Sequence, residues 1–289
     1  MVIAIASGKG GTGKTTIATN LAKVLDDRNI TFLDCDVEEP NGHLFLKPKI
    51  EKEWAFHTFV PKVALDTCTF CGQCSQLCQF GAMMTIKDNV LVFPELCHGC
   101  EGCKLICPVN AITDGRKEVG IIAEGISGKI RFYHGRLRIG EAMSPPLIKE
   151  VKQVGLSKLK SDVIIIDAPP GTSCPVIEAT KGADFIVLVT EPTPFGLHDL
   201  KLAVEMVRVL QIPFGVVVNR STVGDRKVWR YCKDEKIDIL IEIPDDRLIA
   251  ESYSKGEMVV NVLPQYRKDF DMLYEKMKKR IKTVDEVCL

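Results

Sequence analysis

SGKGGTGKTT, residues 7–16, follows directly on the apolar run VIAIA at residues 2–6, and that junction decides the fold. Val2–Ala6 is β-branched and apolar, as a short buried strand requires. From Lys14 to about Asp27 the apolar residues Ile17, Leu21, Val24 and Leu25 recur on one helical face. Strand, glycine-rich loop and helix in that order make a phosphate loop. Gly8, Gly10, Gly11 and Gly13, with Thr12 between them, let backbone amides converge on phosphate oxygens. Lys14 reaches the β- and γ-phosphates, and the Thr15 hydroxyl is placed to ligate Mg²⁺. The helix opening Lys14-Thr15-Thr16 points its positive end at the anion. A dinucleotide site is disfavoured, because such folds use neither the lysine nor the hydroxyl of the GKT ending.

The same alternation of strand and helix continues downstream. Ile30–Asp34, Val163–Asp167, Phe185–Thr190, Gly215–Asn219 and Ile237–Ile243 read as buried strands. Helical periods fall near Leu197–Leu210, Arg226–Asp234 and Asp269–Ile281. The class is α/β, with a doubly wound parallel sheet. Between His57 and Asp114 the rhythm stops. CTFCGQCSQLCQFGAM there repeats as CHGCEGCKLICPVNAI, 29 residues later. The expected division is a nucleotide domain over 1–56 and 115–289, with an inserted module over 57–114. Val119–Met143 alternates like antiparallel strands or hairpins linking insert to core, and Pro145 and Pro146 punctuate a helix at Leu147–Val154.

The chain has 289 residues with 38 basic and 38 acidic side chains, so no basic face for nucleic acid is expected. Val2–Ala6 is too short for a signal peptide, and no apolar run approaches the ~20 residues that span a bilayer. The expected location is cytoplasmic. Twelve cysteines in that setting point to metal and away from disulfides. Eight form the repeated ladders. Cys35, Cys174 and Cys232 read as small core residues, with a ligand of a subunit-bridging cluster as the alternative for Cys174, and Cys288, in the acidic tail DEVCL, is misplaced for prenylation.

Lys9, a second lysine inside the loop, makes the motif KGGTGKTT. It resembles the deviant Walker A motif of the MinD, Mrp and nitrogenase-iron-protein class of P-loop ATPases. The resemblance implies that Lys9 acts in trans on the partner's nucleotide in a face-to-face dimer; the bland alternative is a solvated lysine. In LDCDVEEPN it implies Asp36 as the switch I carboxylate that orients the attacking water, with Asp34 a supporting residue for the metal. Asp167, in IIIDAPPGT, matches the Walker B and switch II aspartate, followed by the stiff turn Pro169-Pro170-Gly171. Guanine readers pair an Asn-Lys-x-Asp carboxylate with the base. Here Asn219 is kept but Thr222 stands in place of that carboxylate, which favours ATP. By resemblance Asn219, Pro244 and Asp245 line the adenine pocket.

Each ladder is spaced C-x₂-C-x₂-C-x₃-C, similar to two-cluster bacterial ferredoxins. That resemblance implies one [4Fe–4S] cluster on Cys68, Cys71, Cys74 and Cys107, and another on Cys97, Cys100, Cys103 and Cys78. Gly72, Gly99 and Gly102 would let amides approach the sulfurs. Gln79 departs from the proline expected after Cys78 but removes no ligand. The rival, structural zinc, prefers two separated cysteine pairs. Taken whole, the chain resembles a MinD-superfamily ATPase with an inserted ferredoxin domain. The implied function is Mg-dependent ATP hydrolysis coupled to electron transfer, in a homodimer or a heterodimer with a related ATPase, and with a redox partner protein. The alternative is assembly or delivery of an iron–sulfur or metal cofactor. A positioning ATPase fits less well, since Asp269–Ile281 carries an ordinary core-packing pattern where a membrane helix would be needed.

Overall fold

The computed structural model describes residues 1–157 and 161–287, with side chains through Ile281; Cys288 lies outside the described residues. Eleven strands form among them: β1 Val2–Ala6, β2 Ile30–Asp34, β3 Lys49–Val63, β4 Met83–Ile86, β5 Asn89–Val92, β6 Ile112–Ser127, β7 Ile130–Leu137, β8 Val163–Asp167, β9 Phe185–Thr190, β10 Phe214–Val218 and β11 Ile239–Glu242. Nine make one sheet in the order β11-β10-β9-β1-β8-β2-β7-β6-β3, and β4 pairs with β5 alone. From β11 to β7 the pairings are parallel.

By contact density the chain divides into two compact units. The first comprises Met1–Glu53, Ile122–Arg136 and Ile148–Leu289. Its central strands β1, β8, β9 and β10 are apolar up to their carboxyl ends because helices cover both faces. On one face Ile3, Ile5, Ile165 and Val187 meet Ile17 and Leu21 of helix Lys14–Val24, and Phe270, Leu273 and Met277 of helix Arg267–Val287. On the other, Ile164, Ile166, Ile186 and Leu188 are also buried. Each such side chain contributes about 1.5–3 kcal/mol by leaving water. Asp34 and Asp167 end β2 and β8 as register partners, so in these two strands the charge sits at the carboxyl ends.

The second unit comprises Trp54–Ile121 and Leu137–Leu147. It holds the β4–β5 hairpin and the short helices Gln73–Leu77 and Gly102–Ile106. Its small core is Met83, Val90 and Ile112, against which Cys68, Cys74, Cys78, Cys103 and Cys107 pack.

Two sequence expectations need correction. The region after Val119 is not only a pair of linking hairpins: β7 joins the main sheet parallel to β2, with Asp34 opposite His134. The β6–β7 connection is a two-residue turn at Gly128-Lys129, which makes that pair antiparallel. β3, unforeseen, is a single strand through Lys49–Val63. It lies at the sheet edge and exposes most of its residues, so its charged sequence, KIEKEWAFHTFVPKV, lacks the apolar signature of a core strand.

Candidate functional site

The loop after β1 is shaped by two glycines in the left-handed region, Gly11 at φ 78° and Gly13 at φ 96°. Gly13 immediately precedes the helix that starts at Lys14. A β-carbon at Gly13 would lie 2.5 Å from Asn219 Nδ2, so glycine is required there twice, by backbone and by space. Asn219, just past β10, donates Nδ2–H to the Thr12 carbonyl at 2.8 Å. The base-side residue of the sequence analysis is therefore also a brace for the phosphate loop.

A cleft of about 460 Å³ opens over this loop. Gly10, Gly11, Gly13, Lys14, Thr15, Thr16, Asp36, Asn219, Pro244 and Asp245 all border it. Asp34 and Asp167 are fully buried and do not border it, nor do Gly8, Lys9 and Thr12. The Lys14 side chain is nearly buried, and desolvation lowers its pKa against the opposing pull of Asp167 and Asp36. Burial pushes the Asp167 carboxyl up to about 7, although the Thr15 hydroxyl and then Lys14 pull it down. Burial likewise pushes Asp36 up to about 6, opposed by Lys14, and holds Asp34 well above the carboxylate range.

The two buried aspartates differ in what occupies their oxygens. Asp34 accepts N–H bonds from Gly42 at 2.8 Å and from Asp36 at 3.3 Å. It thus pins the loop that carries Asp36. Both Asp167 oxygens are buried with no hydrogen bond; the Thr15 hydroxyl faces them without closing one. The Thr12 hydroxyl is also buried and unpaired. Buried polar atoms are ordinarily bonded, so an orphaned carboxylate beside a lysine-bearing phosphate loop fits a Mg–nucleotide complex.

Lys9 does not border the cleft. Its ammonium is 3.8 Å from Glu191, which also pairs with Arg220 at 3.2 Å. Glu191 was not found from the sequence. The available signal was its position one residue past the end of β9, where Asp34 and Asp167 end their own strands. Glu39, Asn41, Tyr253, Tyr266 and Phe270, also unforeseen, border the cleft; the first two lie in the LDCDVEEPN segment beside Asp36, and the other three lie outside any motif. Thr222 accepts a hydrogen bond from the Asp245 amide at 3.0 Å and so holds the Pro244-Asp245 segment.

The ladders come together in the second unit. Cys68, Cys71, Cys74 and Cys107 border one cavity with Val63, Phe70, Val90 and Ile112. Cys97 is acted on by the charges of Cys100 and Cys78, and Cys103 by those of Cys97 and Cys100. Burial raises the Cys97 thiol and pushes Cys103 up to about 11. The two halves share a backbone pattern: left-handed residues stand at Phe70, Gly72 and Gly81 in the first and at Gly99, Glu101 and Asn110 in the second. Each member of a pair lies 29 residues from its counterpart, matching the offset of the ladders. Among the described residues no three His, Cys, Asp or Glu side chains are grouped to hold a single metal ion.

Of the other cysteines, Cys35 and Cys232 are buried as expected, but Cys174 is exposed. It opens the helix Cys174–Thr180, just past the Pro169–Ser173 bend.

Comparison with known proteins places this geometry. The CobQ/CobB/MinD/ParA nucleotide binding domain matches residues 3–260. An uncharacterized protein of Methanocaldococcus jannaschii is 33% identical over 265 residues, covering 89% of this chain and 90% of that protein. An iron-sulfur cluster carrier protein of Pyrococcus horikoshii is 24% identical, covering 98% and 87%. Among solved structures, the septum site-determining protein MinD from Pyrococcus horikoshii, complexed with Mg-ADP, superposes with a TM-score of 0.60 at 20% identity over 96% of each chain. The fold is thus that of a MinD-like P-loop NTPase. With the matched domain spanning all but the first two residues and the C-terminal helix region, the chain belongs to the CobQ/CobB/MinD/ParA nucleotide-binding family.

Proposed function

We propose that this chain is a Mg-dependent ATPase that carries two [4Fe–4S] clusters and couples hydrolysis to electron transfer. The observation that carries the reading is the cavity bordered by Cys68, Cys71, Cys74 and Cys107. Three thiols of one ladder meet the fourth of the other there, which is the exchange two-cluster ferredoxin spacing demands. A zinc tetrahedron prefers two separated cysteine pairs, which the evenly spaced ladders do not offer. The paired left-handed residues support the reading independently. Alternating left- and right-handed backbone turns consecutive amides into concave anion sites, as found around iron–sulfur clusters.

When bound, ATP would supply the phosphoryl bond and the clusters one-electron chemistry. The chain's own residues do the rest. Lys14 and the amides of Gly10, Gly11 and Gly13 hold phosphate; Thr15 and Asp167, backed by Asp34, hold Mg²⁺; Asp36 orients water at the cleft. Adenine would sit against Asn219, Pro244 and Asp245. Lys9 reaches its in-trans position in an ATP-dependent dimer by leaving Glu191.

A second reading is favoured by a specific observation: several relatives at 22–27% identity are named iron-sulfur cluster carrier proteins. In that reading ATP gates delivery of a cluster and not of an electron. Anaerobically prepared protein, loaded with iron and sulfide and reduced, separates the two. Electron transfer to an acceptor protein that requires ATP, with the iron content unchanged, supports the first. Loss of iron to an apo-acceptor on ATP addition supports the second. Stoichiometric zinc without acid-labile sulfide removes both.

A further inference from the structure

The two cysteine sets sit in unlike electrostatic surroundings. The cavity of Cys68, Cys71, Cys74 and Cys107 is bordered by apolar and neutral residues, with no Asp, Glu, Lys, Arg or His among them. The second set has a buried ammonium beside it. Lys117, in β6, donates to the Pro94 carbonyl at 3.4 Å. The same carbonyl accepts the Cys97 amide at 3.2 Å, so one oxygen links the lysine to the first ligand of the set. The Lys117 ammonium is among the charges acting on Cys97.

Lys117 does not stand alone. Its Nζ is 2.7 Å from Glu141 Oε2, and the two side chains are only 12% and 2% exposed. Glu141 is fixed in turn, since its Oε1 accepts the amides of Ala142 and Met143 at 3.1 Å each. Glu141 therefore anchors the Lys117 ammonium next to the Cys97 loop.

Net charge is one of the determinants of iron–sulfur potential. A nearby cation favours the more negative, reduced state by the same Coulomb logic that shifts a pKa. We propose that Lys117, held by Glu141, makes the cluster on Cys97, Cys100, Cys103 and Cys78 the more easily reduced of the two, so that a single electron from a low-potential donor rests there. Lys117 acts here as a positioning residue for charge and touches no substrate. The proposal rests on the two-cluster reading, and its test distinguishes failure of one from failure of the other.

The test is a dithionite redox titration of the full-length, iron-loaded chain, followed by EPR, with iron and sulfide assayed on each variant. Cys100→Ser and Cys71→Ser alter one ligand in each set and so assign the two signals. In Lys117→Gln the higher midpoint should fall toward the lower one, while the signal assigned to Cys71 stays within error. In Glu141→Gln, which keeps the lysine and removes its counter-charge, the same midpoint should move upward. Opposite shifts from two adjacent side chains are not what general loosening of the fold produces, and Glu141→Gln keeps the test open should Lys117→Gln misfold. Two clusters present with midpoints unmoved in both variants, or a shift confined to the Cys71 signal, overturns the inference alone. Parental protein that retains neither iron nor sulfide overturns the two-cluster reading and the inference with it.

Discussion

Asp167→Asn should make the nucleotide-free protein more stable while destroying its metal-dependent binding. Asp167 is fully buried at the end of β8, and neither of its oxygens has a hydrogen bond. Burial raises its pKa from 3.8 to about 7. Between those values the folded state binds the proton more tightly than the unfolded chain. Stability must therefore fall as pH rises from about 4 to about 7, and stay level above that window. At 1.36 kcal/mol per unit, the cost at neutral pH is on the order of 4 kcal/mol. The amide keeps the shape and removes the charge, but Lys14 loses an opposing carboxylate. A net gain of about 2–3 kcal/mol is expected, or a Tm increase of roughly 4–12 °C for a chain of this size. Calorimetry at pH 7.5 and pH 5 checks it, because the gap between variant and parent should shrink to less than about half at the lower pH. Mg-ATP should raise the Tm of the parent and leave that of the variant unchanged. An unchanged or lowered Tm at pH 7.5, or a gap indifferent to pH, would show that this carboxylate is not held against its solvation preference.

Three further outcomes follow from the site. Lys14→Ala should abolish nucleotide binding, whereas Asp36→Ala should bind ATP with parental affinity and lose turnover, since orienting water matters only in the chemical step; a variant at position 36 that hydrolyses normally refutes its assigned role. Lys9→Ala mixed with excess Lys14→Ala should regain part of its turnover if each defect lies on a different side of a composite site, and verified heterodimers without rescue would return Lys9 to the surface pairing with Glu191. Glu101→Gly, at φ 58°, should stabilise the cluster-free chain by about 1 kcal/mol by relieving a left-handed backbone, read as a shifted urea midpoint; no gain means the strain is absent.

Legibility in the sequence followed burial. Val163–Asp167 and Phe185–Thr190 agree with the sequence reading residue for residue, because strands covered on both faces have no polar position to blur their ends. Lys49–Val63 was invisible because an edge strand leaves one side to water and accepts charge. The phosphate-loop residues stood out in the sequence because their glycine and lysine spacing is contiguous, and Gly10, Gly11, Gly13, Lys14, Thr15 and Thr16 do border one cleft. Glu191 was not, because its role depends on where Lys9 and Arg220 fold back to meet it. Cys174 misled for a related reason: a cysteine after a Pro-Pro-Gly turn gives no hint whether the next helix begins inward or outward.

The interleaving of the cysteine sets has a consequence for biosynthesis. Cys107, which borders the cavity of the first ladder, is 33 residues downstream of Cys74. At synthesis rates of about 5–20 residues per second, the first three thiols of that set exist for roughly 2–7 s before their fourth partner is made. In the two-cluster reading the early half cannot be completed on its own and the late half waits on Cys78, so neither repeat could be trimmed away or matured separately, and the duplicated segment would be filled as one part.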